Sequence, residues 1–463
     1  MAAFDGPPLA RSKGAPQSPP PPSCDDMLSG NGGANSAQGA LESLGWERGS
    51  SGTARRFGGH GPSTRLDGLN VGAIKRHVVA PSYSALGTRL SSDFNTPVHH
   101  VENLYVSMSS PRRVLDTKLT RDSTGASGYI GGQVLHDLVA ARLDVRVRAL
   151  VRSEQSAKAI SAAFPSVETV SGDLDNAAVI TEEVKQADIV LHLAATGHLK
   201  SVQTIHEALQ ARSADNPAYW LQISGASALA AGELADASYV PGSPSDAIFD
   251  DLDGVSDIIA VIKAHASRAV DNYVLDVAAS SPQVNTALVF PGIIYGQGQG
   301  PVNQRSIQIP NLAKAVIQRG RGVQVGQGLS RWADVHVQDV GSLFVALVEK
   351  ALAHAEADSQ LWNTNGLYLT GVGELPFSEI SSRVASSAAS KGYIPDGKAV
   401  DQVPGDEADK ALSHGRVLYG TNARGSARRA RELLGWSPRF GKTGLEEEIP
   451  RAVDEAAKSL GKA

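Results

Sequence analysis

The chain has 463 residues, a net charge of −5 and an ordinary apolar fraction of 41%, so it exceeds one simple domain and can bury a sizeable core. That charge leaves no electrostatic footprint for nucleic acid or an anionic membrane. Its one cysteine, Cys24, excludes an intrachain disulfide and a thiolate zinc site.

No apolar run approaches the roughly 18–20 residues that a spanning helix needs. The start, Met1-Ala2-Ala3-Phe4-Asp5-Gly6, lacks the apolar core of a signal peptide, so the cytosol is the default. Up to about Pro62 the chain is Gly, Pro and Ser, including "PQSPPPPS" and "SGNGGANS". Such a segment cannot offset roughly 1–2 kcal/mol per residue of ordering entropy, and disorder is expected. Residues 63–112 carry small apolar clusters such as Ile74, Val78 and Val79 but no sustained period. The whole extension, 1–112, reads as a Pro-rich docking tail or an inert appendage.

Regular patterning begins at Thr124. Thr124-Gly125-Ala126-Ser127-Gly128-Tyr129-Ile130-Gly131-Gly132 spaces glycines at 125, 128 and 131. One glycine makes a tight turn, the next admits a pyrophosphate, and the third packs helix on strand. The N–H groups that open the helix, at Tyr129 and Ile130, then face an anion. Val134, Leu135, Leu138 and Val139 follow at helical spacing, and Val145, Val147, Ala149 and Val151 alternate as a strand. "SVETVSGDLD" reads as a short strand and turn. "ADIVLHLAAT", "AYWLQISGAS" and "NTALVFPGIIYG" are continuous apolar runs, as parallel strands buried on both faces should be. Strands alternating with helical segments predict an α/β fold, a doubly wound parallel sheet with right-handed crossovers.

"TGASGYIGG", "VRALVRS", "SGDL", "LHLAAT", "FPGIIYGQGQGP", "WADVHVQDV" and "RELLGWSPRF" together resemble the extended short-chain dehydrogenase/reductases, the NAD-dependent epimerase/dehydratase family. The resemblance runs from about residue 113 to 463. It implies a Rossmann domain, 113–290, and a smaller, mainly substrate-binding region, 291–463, interleaved with the last Rossmann elements. It also implies that Asp173 faces the adenine, Ala194 and Ala195 line the nucleotide, and Pro291 sits near the nicotinamide.

The sequence departs from that family in two places. First, the family has apolar residues directly before Thr-Gly, where this chain has Arg121, Asp122 and Ser123; unpaired charges do not belong in a central strand. Val114 and Leu115 are the nearest apolar pair and lie too far back. Either "RRVLDTKL" pairs in a shifted register, or the segment is a sequence-assembly artefact. Second, the family's acid–base pair is a Tyr followed four residues later by Lys, and none of the ten tyrosines has one. Aligning Asp271 on the acidic position after that motif puts Lys263 where the Tyr belongs, with His265 and Arg268 as neighbours. Lys263 is then the candidate proton donor, and Ser224 and Ser227 of "ISGAS" the candidate hydroxyls.

No Asp or Glu ends the second strand to hold ribose hydroxyls; Arg152 beside Ser153 suits a 2′-phosphate instead, so NADP is expected, with NAD the alternative. Further on, His336 and Asp339 read as a catalytic or metal pair or, more simply, as a strand-to-helix junction capped by the Asp. No metal site is expected. Two functions follow: an NADP-dependent oxidoreductase acting on a carbonyl or alcohol of a small metabolite, or a nucleotide-binding redox sensor without turnover. The partner expected is a small molecule, with oligomeric state open.

Overall fold

The computed structural model describes residues 125–141, 143, 145–353 and 358–462, together with the backbone of residues 112–117. The rest of the extension, and the charged segment Lys118–Ser123, lie outside the described residues.

Seven strands form one parallel sheet: β1 (Arg112–Thr117), β2 (Val145–Val151), β3 (Glu168–Ser171), β4 (Ile189–His192), β5 (Ala218–Ile223), β7 (Val284–Phe290) and β11 (Leu367–Leu369). Their spatial order is β3-β2-β1-β4-β5-β7-β11. The order reverses between β1 and β4, which is where a doubly wound sheet opens a ligand crevice beyond its strand ends. Burial explains the apolar runs. Every residue of β4, β5 and β7 is buried, because helices cover both faces. The edge strand β3 has no buried residue, and its sequence is correspondingly polar.

The first strand corrects one expectation. Val114 and Leu115 are not too far back. Val114 pairs with Val147 on one side and Ile189 on the other, and Leu115 with Arg148 and Val190. The expectation failed because it required the strand to run directly into the glycines. The strand covers Arg112–Thr117, and the next described residue is Gly125 of the loop, eight positions on. Pairing on both sides places the strand, and its distance from the loop does not.

Among the described residues the helices include α1 (Tyr129–Ala140), α2 (Glu154–Ala163), α3 (Ala177–Gln186), α4 (Leu199–Leu209), α5 (Ala231–Ala235), α6 (Val255–Lys263), α7 (Ala269–Ser280), α8 (Gln308–Arg319), α9 (Val337–Leu352) and α10 (Phe377–Ser390), then three short ones and a last helix at Gly444–Ser459. α9 buries Val340, Leu343, Phe344, Leu347 and Val348, the expected helical stripe, and packs on α1. Burying a side chain the size of Phe344 is worth about 2–3 kcal/mol. The two helices meet closely at Gly341, where an added Cβ would stand 1.9 Å from Asp137 Oδ2.

After Phe290 the chain leaves the large sheet. β8 (Ile293–Tyr295) and β12 (Gly373–Pro376) flank β10 (Arg331–His336), parallel and antiparallel respectively. Smaller parallel pairs join β9 (Gly322–Val325) to β13 (Val400–Val403) and β6 (Phe249–Asp250) to β14 (Gly425–Ser426). The step from β7 to β8 needs Gly292, whose added Cβ would fall 2.0 Å from the Ala333 carbonyl. The buried Asp251 carboxylate binds these returns together. It accepts N–H bonds from Leu369 on β11 and from Arg428 and Arg429.

Candidate active site

The glycine loop closes on itself through a bond from the Gly128 N–H to the Gly125 carbonyl. Gly128 caps α1 with no side-chain hydrogen bond, and the helix has no acidic residue in its first turn. A helix cannot satisfy its own first N–H groups, so those at the start of α1 are left for an anion, with the helix dipole favouring it. Gly131 allows the close approach: its added Cβ would lie 2.4 Å from the carbonyl carbon and oxygen of Gly125. The residues present fit a dinucleotide pyrophosphate on three counts: a tight turn, uncapped donors and a packing glycine.

The cavity lies beside this loop. It has a volume of about 280 Å3 and is lined by residues that follow four strands of the large sheet. Tyr129 and Ile130 come from the start of α1, Thr196 from beyond β4, Ser224 to Ser227 from beyond β5, and Pro291 and Gly292 from beyond β7. This is the crevice that the reversal in strand order predicts. Ala194 and Ala195 lie just before Thr196, the first buried and the second half-buried.

Both candidate serines therefore reach the cavity wall. Behind them stands a residue that the sequence singled out only as a neighbour. Arg268 donates to Ser224 Oγ at 3.2 Å and to Ser227 Oγ at 3.4 Å. Its guanidinium is held by the buried Asp271 carboxylate, with Nε at 2.8 Å and a second nitrogen at 2.6 Å. Burial pushes the Asp271 carboxyl up, while the Arg268 charge and the Ser224 hydroxyl beside it pull it down. Both nitrogens reach one carboxylate oxygen, Oδ2, and this anchor fixes the plane of the guanidinium beneath the serines.

Lys263 does not join this group. Its ammonium donates to the Asn272 carbonyl at 3.1 Å and to Asp276 Oδ1 at 2.6 Å, on the solvent side of α7. Aligning Asp271 with the position after the Tyr–Lys motif requires "DIIAVIKAHASRAVDNYVL" to be one helix. The structure breaks that run: α6 ends at Lys263, a 3-10 turn covers Ala266–Arg268, and α7 starts at Ala269. The break swings Arg268 under the serines and leaves Lys263 outside. An Arg–Asp pair three residues apart at a helix start, downstream of a Ser-rich strand end, was the available signal.

The far wall comes from the loop after β8. Gly296 adopts φ +90°, and an added Cβ would strike His336 Nε2 at 1.9 Å. From there the loop is bound to α1. Tyr129 donates its hydroxyl to the Gly296 carbonyl at 2.6 Å, and burial holds that phenol well above its usual range. Gln133 accepts from the Gln299 N–H at 2.9 Å and donates to Gln299 Oε1 at 3.2 Å. Gly300 lies so close to Gly132 that its Cβ would be 2.6 Å from the Gly132 Cα. Tyr129, expected to hold cofactor, thus spends its hydroxyl on the opposite loop.

The remaining candidates take ordinary places. Arg152 is exposed just beyond β2, and Ser153 caps α2 by accepting from the Ser156 N–H at 3.1 Å. Asp173 Oδ1 accepts from the N–H groups of Asp175 and Asn176, both at 3.0 Å, shaping the turn after β3. His336, not Asp339, caps α9: its Nδ1 accepts from the Gln338 N–H at 3.2 Å. The ring stacks on Phe440 with centroids 3.5 Å apart, and burial lowers its pKa to about 4. Asp339 accepts from the N–H groups of Arg439 and Phe440 instead. Among the described residues no cluster of His, Cys, Asp or Glu could hold a metal ion, and no helix is long and apolar enough to cross a membrane.

Comparison with known proteins agrees with this geometry. Residues 125–234 match a family model described as NAD(P)H-binding. Over 345 residues the chain is 31% identical to Oxidase ucsJ of an Acremonium species, covering 73% of this chain and 98% of that protein. Among solved structures it is similar to the PbgP3 protein of Burkholderia pseudomallei, at 15% identity and a TM-score of 0.51 over 76% of this chain and 97% of that one. It is also similar to DesIV, a dTDP-glucose 4,6-dehydratase of Streptomyces venezuelae crystallised with NAD, at 18% identity and a TM-score of 0.50 over 75% and 98%. These two likenesses speak for the fold, while the first relative and the matched domain speak for descent. The chain belongs to the NAD(P)-binding short-chain dehydrogenase/reductases of the NAD-dependent epimerase/dehydratase type.

Proposed function

We propose that the protein is an NADP(H)-dependent oxidoreductase that interconverts a carbonyl and an alcohol on a small metabolite in the cytosol. Residues 113–290 hold the dinucleotide in this reading, and 291–463 supply mainly the substrate side. Gly125, Gly128 and Gly131 shape the pyrophosphate cradle, and Pro291 borders the nicotinamide. The observation that carries the reading is the Arg268 clamp: one guanidinium donates to two serine hydroxyls on the wall of a cavity that begins at the glycine loop.

When bound, the dinucleotide supplies or accepts hydride. The chain's own groups manage the oxygen. A serine hydroxyl that accepts from Arg268 can turn its hydrogen outward, so Ser227 donates to the substrate carbonyl. Ser224, between Asp271 and Arg268, fixes the clamp. As the carbonyl carbon gains hydride, negative charge grows on its oxygen, and the guanidinium stabilises it through the serines. Ser227 passes its proton to that oxygen and recovers one from solvent. Donors preorganised toward a developing oxyanion are worth about 10²–10³ in rate each. That is the part the absent Tyr–Lys pair plays in its relatives.

NADP is favoured over NAD because Arg152, and no carboxylate, stands at the tip of β2, with Glu154 following only at the start of α2. One observation favours a second reading: among the described residues no Tyr–Lys pair lines the cavity, which suits a redox sensor that binds without turnover. Fluorescence titration with NADPH and NADH, followed by an aldehyde and ketone panel scored for NADPH oxidation, separates the readings. Tight NADPH binding with turnover supports the enzyme. Binding with no turnover across the panel supports the sensor. No binding of either nucleotide sinks both.

A further inference from the structure

The cavity wall beyond the serines says what kind of molecule they receive. Among its described lining residues there is no carboxylate, and Arg305 is the one charged side chain. The rest of the substrate-side wall sets four large apolar side chains, Ile294, Ile307, Trp332 and Leu418, beside the neutral amides of Asn303 and Gln308. Arg305 is exposed on the loop before α8, and its N–H bonds to Asn303 Oδ1 at 3.0 Å, which sets the turn. Among the described residues its guanidinium has no ion-pair partner. Two of the most exposed large apolar side chains flank it, Val302 at 44% and Ile307 at 51%. An isolated cation between two uncovered apolar side chains, at the mouth of an apolar cavity, is a half-built amphiphile site.

Size narrows the choice. A volume of about 280 Å3 falls just below the range of roughly 300–1,000 Å3 typical of small-molecule pockets, and the nicotinamide must share it. A diphosphate with a sugar is best held by several cations, and Arg305 is the one cation among the described lining residues.

Resting on the oxidoreductase reading, we infer that the substrate is a small, mainly apolar carbonyl compound carrying one carboxylate. The carbonyl meets Ser227, the apolar body lies along Ile294, Trp332 and Leu418, and the carboxylate pairs with Arg305. The reaction balances as a two-electron reduction: the carbonyl gains a hydride at carbon and a proton at oxygen, and NADPH becomes NADP+.

Matched acids and methyl esters test this in the full chain: levulinic acid against methyl levulinate, and terephthalaldehydic acid against its monomethyl ester. Steady-state rates with NADPH give kcat and KM for each. Calorimetric binding of levulinic acid and its ester to the protein–NADP+ complex gives a readout that needs no turnover. The acids are expected to show KM and Kd values at least about fivefold below their esters, as one partly solvated charge-assisted pair allows. Arg305→Gln is expected to erase that difference by raising the values for the acids. Esters equal to acids in the parent protein, or a preference that survives Arg305→Gln, overturns the inference. Turnover without carboxylate preference leaves the oxidoreductase reading standing and removes this one. An Arg305-dependent preference in binding without any turnover does the reverse.

Discussion

The two walls of the cavity are built by opposite means. The dinucleotide wall is made of absences: glycines at 125, 131, 132 and 300 let backbone touch backbone, and an uncapped helix end leaves donors free. The serine wall is made of charge: a buried carboxylate, a clamped guanidinium and two hydroxyls in series. The first wall falls within the stretch, 125–234, that matches an NAD(P)H-binding family model. The second wall is the one to which the proposed reading gives the chemistry, and it holds serines and an arginine in place of a tyrosine. Steric fit fails abruptly when one atom is added. An electrostatic relay fails by degrees.

That contrast can be broken most severely at Gly131. Gly131→Ala puts a methyl 2.4 Å from the Gly125 backbone, where no side chain can yield. Loss of NADPH binding by fluorescence, or loss of soluble folded protein by circular dichroism, is expected. Binding within about twofold of the parent, on the scale that 0.4 kcal/mol represents, would show that the glycine is not a contact of necessity.

Arg268→Ala should cut kcat by about 10²–10³ and leave the NADPH Kd nearly unchanged, because the serines lose their shared donor while the glycine wall stays intact. Arg268→Lys should recover only part of this, since a point charge cannot serve both hydroxyls and Asp271 in one plane. An Arg268→Ala enzyme with parental kcat would return the proton-handling role to another group.

Asp334 separates stability from chemistry. It lies fully buried on β10, and burial raises its carboxyl from 3.8 to about 7. The folded state therefore holds a proton that the unfolded chain releases. This stabilising contribution is complete below the unfolded value and is lost as pH rises through about 7. Asp334→Asn should gain stability over the parent by a few kcal/mol near pH 8. The gain should shrink by about 1.4 kcal/mol per unit as pH falls toward 4. Urea unfolding at several pH values checks it, and a gain independent of pH would count against the assignment.

The smallest effect belongs to Lys263. Its pair with Asp276 is exposed, at 37% and 72% for the two side chains, and such pairs are worth about 0–1 kcal/mol. Lys263→Ala should leave kcat within about twofold, and a hundredfold drop would restore the proton donor that the alignment suggested.

The dinucleotide wall was legible in the sequence because glycine spacing reports backbone geometry directly. The strands β4, β5 and β7 were legible because burial on both faces favours apolar residues at most positions, with His192, Gln222, Asn285 and Thr286 the buried exceptions. The first strand stayed between two readings because contiguity with the loop was assumed, and the structure takes the one in which "RRVLDTKL" pairs, with Val114 opposite Val147 and Ile189. The serine wall was half legible. Ser224 and Ser227 stand where a strand end presents them, but the helix break at Ala266–Arg268 has no glycine or proline to announce it. Without that break, Arg268 looks like one more charge on a solvated helix, and Lys263 looks nearer the chemistry than it is.

The bonds between α1 and the loop after β8 have a consequence for affinity. Tyr129, Gln133 and Gly132 hold Gly296, Gln299 and Gly300, so the element that grips phosphate and the strip of chain that leads to Arg305 share one mechanical fate. If substrate settles that strip, it also settles the anion cradle, and linkage makes the exchange reciprocal: substrate must tighten NADP+ by the same factor with which NADP+ tightens substrate. Titrating each ligand in the presence and absence of the other measures that factor twice. Gln133→Ala, which cuts one strand of the tie, should bring both numbers toward unity together.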